Sequence, residues 1–293
     1  LSRGGLSDLV GLAYESASSL EGWPVFLEKL AETLRGVAPA LNVSGSDRSA
    51  GLWIAPEADA EVGRRYDEHY IAKDVRRPLI QRLPEGSVFV GHELLPDADL
   101  VRTEFYNDFL RPEGYFHLLG GVPIKERERL AVIRLVRRRR DRRFGVRERR
   151  FLDALMPHLA RALRLHHEFA GLRAERDGAR DALDRLRHGV VLLDQQGEVV
   201  ALNERARLIL EGGDGLSVHD GRLRATDPRA EAELATRLTE VHASEETCGV
   251  VRVPRASGEW SLVLRVERLT GSIVANIARR AAARPHWRDS KAS

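Results

Sequence analysis

Cysteine is nearly absent, Cys248 being the only one in 293 residues. A single thiol closes no intrachain disulfide, and a thiolate metal cluster within one chain is excluded. Runs of about 18 apolar residues are missing as well, so no membrane-spanning helix is expected. The N-terminus lacks the apolar middle of a secretory signal, and the two absences together point to a cytoplasmic protein. Lysine is scarce: arginine supplies almost all of the 47 basic residues, which 44 acidic ones offset to a formal net charge of +3. Methionine occurs once, at Met156, while the chain begins at Leu1. Either an alternative start codon stands translated literally or the natural N-terminus lies upstream. No period of ~20–50 residues repeats, which excludes solenoids and propellers.

Catalytic signatures are missing too. Gly120-Gly121 has neither the Lys-Ser/Thr nor the G-x-G-x-x-G context of a phosphate loop, and a kink or bulge in a strand explains it better. His158, His166 and His167 have no convergent ligands for zinc. Asp108 and Glu113 flank an aromatic helix with no nucleophile or paired base beside them. The expectation is a non-enzymatic chain with no metal and no cofactor.

What is present is one long amphipathic stretch, Glu148 to Arg187. Phe151, Leu155, Leu159, Ala162, His166 and Phe169 recur at steps of four and three, one face of a helix packed on a partner helix. The stripe restarts at Leu172 and runs through Ala179, Leu183 and Leu186, with Arg176 between. About 40 residues at 1.5 Å rise make a rod of roughly 60 Å, too long for one small domain. Pro157 predicts a kink near Leu155 and Met156, and Gly171 and Gly178 each weaken the helix by about 1 kcal/mol. Two readings stand: a terminal helix with a half-helical linker, or a signalling helix shared by two chains.

Before the rod, Leu6 to Leu20 reads as a helix capped by Ser7, and Pro24 to Arg35 as a second, ended by Gly36. Ala40–Val43 and Gly51–Ile54 form a hairpin candidate across Ser44–Ser49. Ala58–Asp74 is helical, Arg77–Leu83 short and amphipathic and stopped by Pro84 and Gly86, Ser87–Val90 extended, and Glu104–Arg111 a helix rich in aromatics. Phe116–Ile124 and Arg129–Arg137 are strands, and Gly145 with Glu148 forms a weak capping box for the rod. Nine arginines crowd 137–150, read as a solvated basic loop; direct DNA binding by this block would fall steeply with salt. After the rod come strands at Gly189–Asp194 and Glu198–Leu202, a helix opened by Asn203, an extended piece at Arg222–Ala225, a helix at Pro228–Ala243, and strands at Gly249–Val253 and Trp260–Val266.

Gly189-Val-Val-Leu-Leu-Asp194, Gln-Gln-Gly and Glu198-Val-Val-Ala-Leu-Asn203 resemble the opening of a PAS domain. Asn203 has a capping role available without any ligand. The order of elements from Leu6 to Leu165, ending in Phe144-Gly145 and an apolar helix, is similar to a GAF domain. Glu104-Phe-Tyr-Asn-Asp-Phe-Leu-Arg-Pro-Glu-Gly114 and Pro157-His-Leu-Ala-Arg-Ala-Leu163 resemble the sensory region of bacterial LuxR-type helix-turn-helix transcription regulators, over roughly residues 6–269. The resemblance implies an α+β chain with two small antiparallel-sheet sensory domains joined by a long linker helix: GAF-like 1–147, helix 148–187, PAS-like 188–269, then an irregular or frayed helical tail 270–293. A DNA-reading domain would follow a last PAS strand in that family. Residues 270–293 show no pair of helices joined by a short turn, and a frame disruption or truncation is the expected reason.

Tyr66-Asp-Glu-His-Tyr70-Ile-Ala-Lys-Asp74 resembles the Tyr, Tyr, Asp spacing of acyl-homoserine-lactone-binding domains, with Val75 where the family has proline. The resemblance implies aromatic walls from Tyr66 and Tyr70 and Asp74 as acceptor for a ligand amide; Trp53 and Phe105 are two further candidate ligand-binding residues. The alternative is that both tyrosines are core residues of a helix. The functional expectation is therefore a sensory and dimerisation module of a transcriptional regulator. It takes an unidentified small-molecule ligand, forms a homodimer through the long helix, touches DNA only through the missing domain, and meets no membrane. A sensor fragment of a histidine kinase or cyclase, or a ligand-free protein-interaction module, is the alternative.

Overall fold

The computed structural model describes residues 3–45, 52–56, 60–194, 196–243, 248–269 and 272–279. It divides into two units, Leu1–Arg173 and Ala174–Ser293. The first carries α1 (Arg3–Ala17), α2 (Gly22–Leu34), β1 (Val37–Gly45), β2 (Leu52–Ile54), α3 (Ala60–Glu68), a 3-10 turn (Tyr70–Ala72) and α4 (Arg77–Arg82). There follow β3 (Val88–Val90), the short helices α5 (Gly91–Leu94) and α6 (Asp97–Leu100), a π-helix (Phe105–Leu110), β4 (Tyr115–Lys125), β5 (Arg129–Arg138) and α7 (Val146–Asp184). The sheet is antiparallel in the order β2-β1-β5-β4-β3.

Because side chains alternate along a strand, this sheet has two unlike faces. Leu41, Leu119, Ala131, Ile133 and Leu135 point into a core shared with Leu9, Trp23, Phe26, Leu27 and Leu30 from α1 and α2 and with Phe151, Leu155 and Leu159 from α7. Their neighbours in sequence, Ala40, Leu118, Arg134 and Val136, belong to the opposite face, where the cavity described below lies.

This core settles the fate of the apolar stripe on α7. Phe151, Leu155, Leu159 and Ala162 are buried within their own unit, so this half of the stripe needs no second chain to cover it. His166 extends the same packing: Nδ1 lies 3.2 Å from the Ala17 carbonyl and the ring meets Trp23 edge-on. From His167 to Asp177 every residue is exposed. The helix continues through Pro157, and the division between units falls inside it, after Arg173. Its start is the capping box read from the sequence: the Gly145 amide donates to Glu148 at 3.0 Å.

Two predicted caps are corrected. α1 begins at Arg3, which leaves Ser7 inside the helix rather than at its N-cap. α2 ends on Arg35, in the left-handed region at φ 50°, and Gly36 serves instead to let β5 approach, since a Cβ there would collide with Leu135. The arginine-rich block is also less of a solvated loop than expected. Arg137 is buried and donates to the carbonyls of Leu34, Arg35, Arg142 and Arg143 and to Glu148. Arg139 donates to the Tyr106 hydroxyl, while Arg143 and Arg149 pair with Asp97 and Glu93.

The second unit holds β6 (Gly189–Leu193), β7 (Val199–Leu202), α8 (Glu204–Glu211), the hairpin β8 (Leu216–His219) and β9 (Arg222–Ala225), α9 (Pro228–Ala243), β10 (Cys248–Val253), β11 (Leu262–Leu269) and β12 (Ser272–Arg279). Its main sheet runs β10-β11-β12-β6-β7. Numbered within the unit and leaving the hairpin aside, the order is second, first, fifth, fourth, third, the same as in the first unit. The expected tail 270–293 is corrected here: Ser272–Arg279 is a central strand, antiparallel to both β11 and β6, with Val274, Ala275 and Ile277 buried. Without it β6 and β11 would each expose an unpaired edge. Residues 280–293 lie outside the described part.

Asn203 is the knot of this unit. Its Oδ1 accepts from Ala206 at 2.9 Å, capping α8, and from Val190 at 2.8 Å in β6. Its Nδ2 donates to the carbonyls of His188 and of Leu183 in the last turn of α7. Asp184 adds a bond from the Glu204 amide at 2.7 Å. The fold class is therefore the one the sequence implies: α+β, with two small antiparallel sheets and one long helix.

Candidate functional site

On the face of the first sheet away from α7, cross-strand register places small residues opposite large ones. Ala40 on β1 pairs with Arg134 on β5, and Asn42 pairs with Trp53 on β2. Ala38 sits at a bulge in β1 with φ 45°, a conformation that costs a non-glycine residue free energy and is sustained by its surroundings. Ala38, Ala40, Ala55 and Gly63 supply too little side chain to fill the space between the sheet, α3 and the π-helix. A cavity of about 80 Å³ remains, taken as the space open to the centre of a water-sized sphere. One water occupies roughly 10–15 Å³ by that measure, so there is room for a small organic molecule.

Trp53, Tyr66, Asp74 and Phe105, four of the five residues singled out in the sequence, line this cavity together with Arg76, Phe109 and Arg134. Trp53 stacks on Tyr66 with ring centroids 5.7 Å apart, and Tyr66 is 5.6 Å from Phe109, which stacks on Phe105 at 5.5 Å. The Tyr66 hydroxyl donates to Asp74 Oδ2 at 3.2 Å, and the Arg76 amide to Asp74 Oδ1 at 3.1 Å. Burial holds the Tyr66 hydroxyl above its ordinary pKa; the Arg134 charge opposes this and Asp74 adds to it. The site thus offers aromatic walls and a carboxylate fixed by two donors.

Tyr70 is not brought to the cavity. Four residues after Tyr66 is the same face only while a helix continues, but α3 ends at Glu68 and His69 breaks the turn at φ −128°. Tyr70 packs on the outer side of Phe109 at 4.9 Å and donates to the Asp108 carbonyl at 3.4 Å. Arg76 and Arg134 are functional candidates that the sequence reading passed over. Arg134 carried a local signal, a charge interrupting the apolar run of a strand, whereas Arg76 sits among surface-like arginines and gave none.

Among the described residues, no group of three or more His, Cys, Asp or Glu is placed to hold a metal ion. His158 meets the Tyr14 ring edge-on at 6.1 Å. No helix among the described residues is long and apolar enough to cross a membrane.

No family model matches the chain, and no curated protein matches it. Among solved structures it is similar to the LBD domain of VqsR from Pseudomonas aeruginosa, at 16% identity over 56% of this chain and 96% of that one, with TM-score 0.45. The N-acylhomoserine lactone dependent LuxR family transcription factor CepR2 from Burkholderia cenocepacia matches at 16% identity over 55% and 96%, TM-score 0.39. The bacteriophytochrome RpBphP3 from R. palustris matches at 10% identity over 96% and 64%, TM-score 0.36.

Proposed function

We propose that this chain is the sensory and dimerisation module of a bacterial transcription regulator of the LuxR type. It performs no catalysis, and a small molecule bound in the first unit acts on the long helix. The observation that carries this reading is the cavity: an aromatic space with a carboxylate fixed at its wall is the form of a small-molecule site. Its connection to α7 is short. β5 presents Arg134 and Val136 to the cavity, and the next residue, Arg137, holds Glu148 in the first turn of α7 at 3.2 Å. A ligand that shifts β5 thereby biases how the helix starts, a population shift between two packings.

On this reading two chains meet along the exposed half of α7, where Phe169 and Leu172 are 42% and 63% exposed. The seam is shorter than the whole stripe, because Phe151 to Ala162 is taken up within the unit. A thermal-unfolding screen tests the ligand claim. A true ligand raises the midpoint of the wild type and leaves Ala40→Leu, which fills the cavity, unchanged. Compounds that stabilise both proteins alike contradict the reading.

A further inference from the structure

The cavity is electrically unbalanced. Its lining holds one carboxylate, Asp74, against two guanidinium groups, Arg76 and Arg134, and the adjoining recess adds Arg77 to Asp74 and Arg134. Asp74 and Arg76 are 6% and 5% exposed, so bulk water does little to screen them. The carboxylate is already engaged by the Tyr66 hydroxyl and the Arg76 amide. Arg76 Nε lies 3.7 Å from Asp74 Oδ1, too far for a hydrogen bond, and finds no other partner. Its guanidinium lies instead over the Phe105 ring at 5.5 Å, and that of Arg134 lies over Trp53 at 4.8 Å and Tyr66 at 5.0 Å. Ring faces attract a cation but accept hydrogen bonds weakly.

A guanidinium carries five N–H donors in a planar fork that matches a carboxylate, and a buried one with an unmet donor is costly. Burial lowers the Arg76 pKa from its usual value, with Asp74 opposing and Arg134 reinforcing the shift. A neutral acceptor meets a donor but leaves the surplus positive charge in place, and a cationic ligand adds to it. A single negative charge on an apolar body removes it.

We propose that the ligand of this cavity is a small organic acid, its carboxylate held by Arg76 with Arg134 as the second positive charge, and its apolar body packed among Trp53, Phe105 and Phe109. This rests on the proposed ligand site and specifies the ligand's charge. It also separates the site from one built for an uncharged amide or lactone, for which Asp74 alone would suffice.

The test uses the full chain and four probes: benzoate and phenylacetate, with benzamide and phenylacetamide as neutral counterparts. The acids are expected to raise the unfolding midpoint with increasing concentration, at roughly ten- to hundredfold lower concentration than the amides, the worth of a charge-assisted hydrogen bond. Arg76→Gln and Arg134→Gln should each erase that preference. If Arg76→Gln does not fold, the half-buried Arg134 carries the test alone. Acids and amides acting alike would overturn the charge assignment while leaving the cavity as a ligand site. No effect from any probe, or equal effects on Ala40→Leu, would overturn both.

Discussion

Glu148 closes the first turn of α7 from two sides, through the Gly145 amide and Arg137. Burial pushes its carboxyl up, but the amides of residues 148 and 145 and the Arg137 charge outweigh it and hold the pKa below the usual 4.5. A depressed folded value means the stabilisation is full above the unfolded pKa and drains away as pH falls through the folded one. Glu148→Gln should therefore flatten the loss of unfolding free energy between about pH 5 and pH 3, read from denaturant curves at each pH. Asn203, 2% exposed, makes a stronger case in the second unit. Asn203→Ala leaves the Val190 and Ala206 amides and the His188 carbonyl unmet, while the Leu183 carbonyl keeps the Leu186 amide, and should cost about 2–4 kcal/mol in a denaturant titration. Asn203→Asp keeps the acceptor but sets a charge against the Leu183 and His188 carbonyls, so it should not restore stability. The asparagine was legible in the sequence as a cap. Its bonds to β6 and to the end of α7 were not, because they join residues 13 and 20 positions apart.

Elements with a strong period were the readable ones. α7, α9 and the strands of the two sheets other than β12 announce themselves by apolar spacing, which is a local property. β12 was hidden by position, since Ser272–Arg279, in which Ser, Asn and Arg interrupt five apolar residues, followed by another arginine and a polar tail, looks like a chain running out. The cavity was half hidden: its aromatic walls could be named, but it exists because Ala38, Ala40, Ala55 and Gly63 meet across β1, the loop after β2 and α3. Gly120 and Gly121 on β4 show what the structure adds at this scale. A Cβ at Gly120 would lie 2.7 Å from the Ile133 carbonyl, which is backbone, and one at Gly121 would lie 2.6 Å from Met156 Sδ, the far end of a flexible side chain. Gly120→Ala should accordingly cost about 1–3 kcal/mol by forcing β4 and β5 apart, and Gly121→Ala clearly less, as Met156 swings aside. Equal losses from the two substitutions would contradict this packing of α7 on the sheet.

For the molecule as a whole, the account gives the two halves of one helix different work. The half up to Leu163 belongs to the core of the first unit, while Phe169 and Leu172 are exposed, and the proposal assigns them to a second chain. Sedimentation of the wild type should give a dimer, and Phe169→Glu with Leu172→Glu should give a folded monomer; a wild-type monomer contradicts the shared helix. The claim beneath all of this is that the first unit holds a small molecule. Native mass spectrometry of wild type and Ala40→Leu, purified side by side, addresses it most directly. The account expects the wild type to carry one small organic molecule per chain and the variant to be bare. Identical bare masses for the two proteins would contradict it.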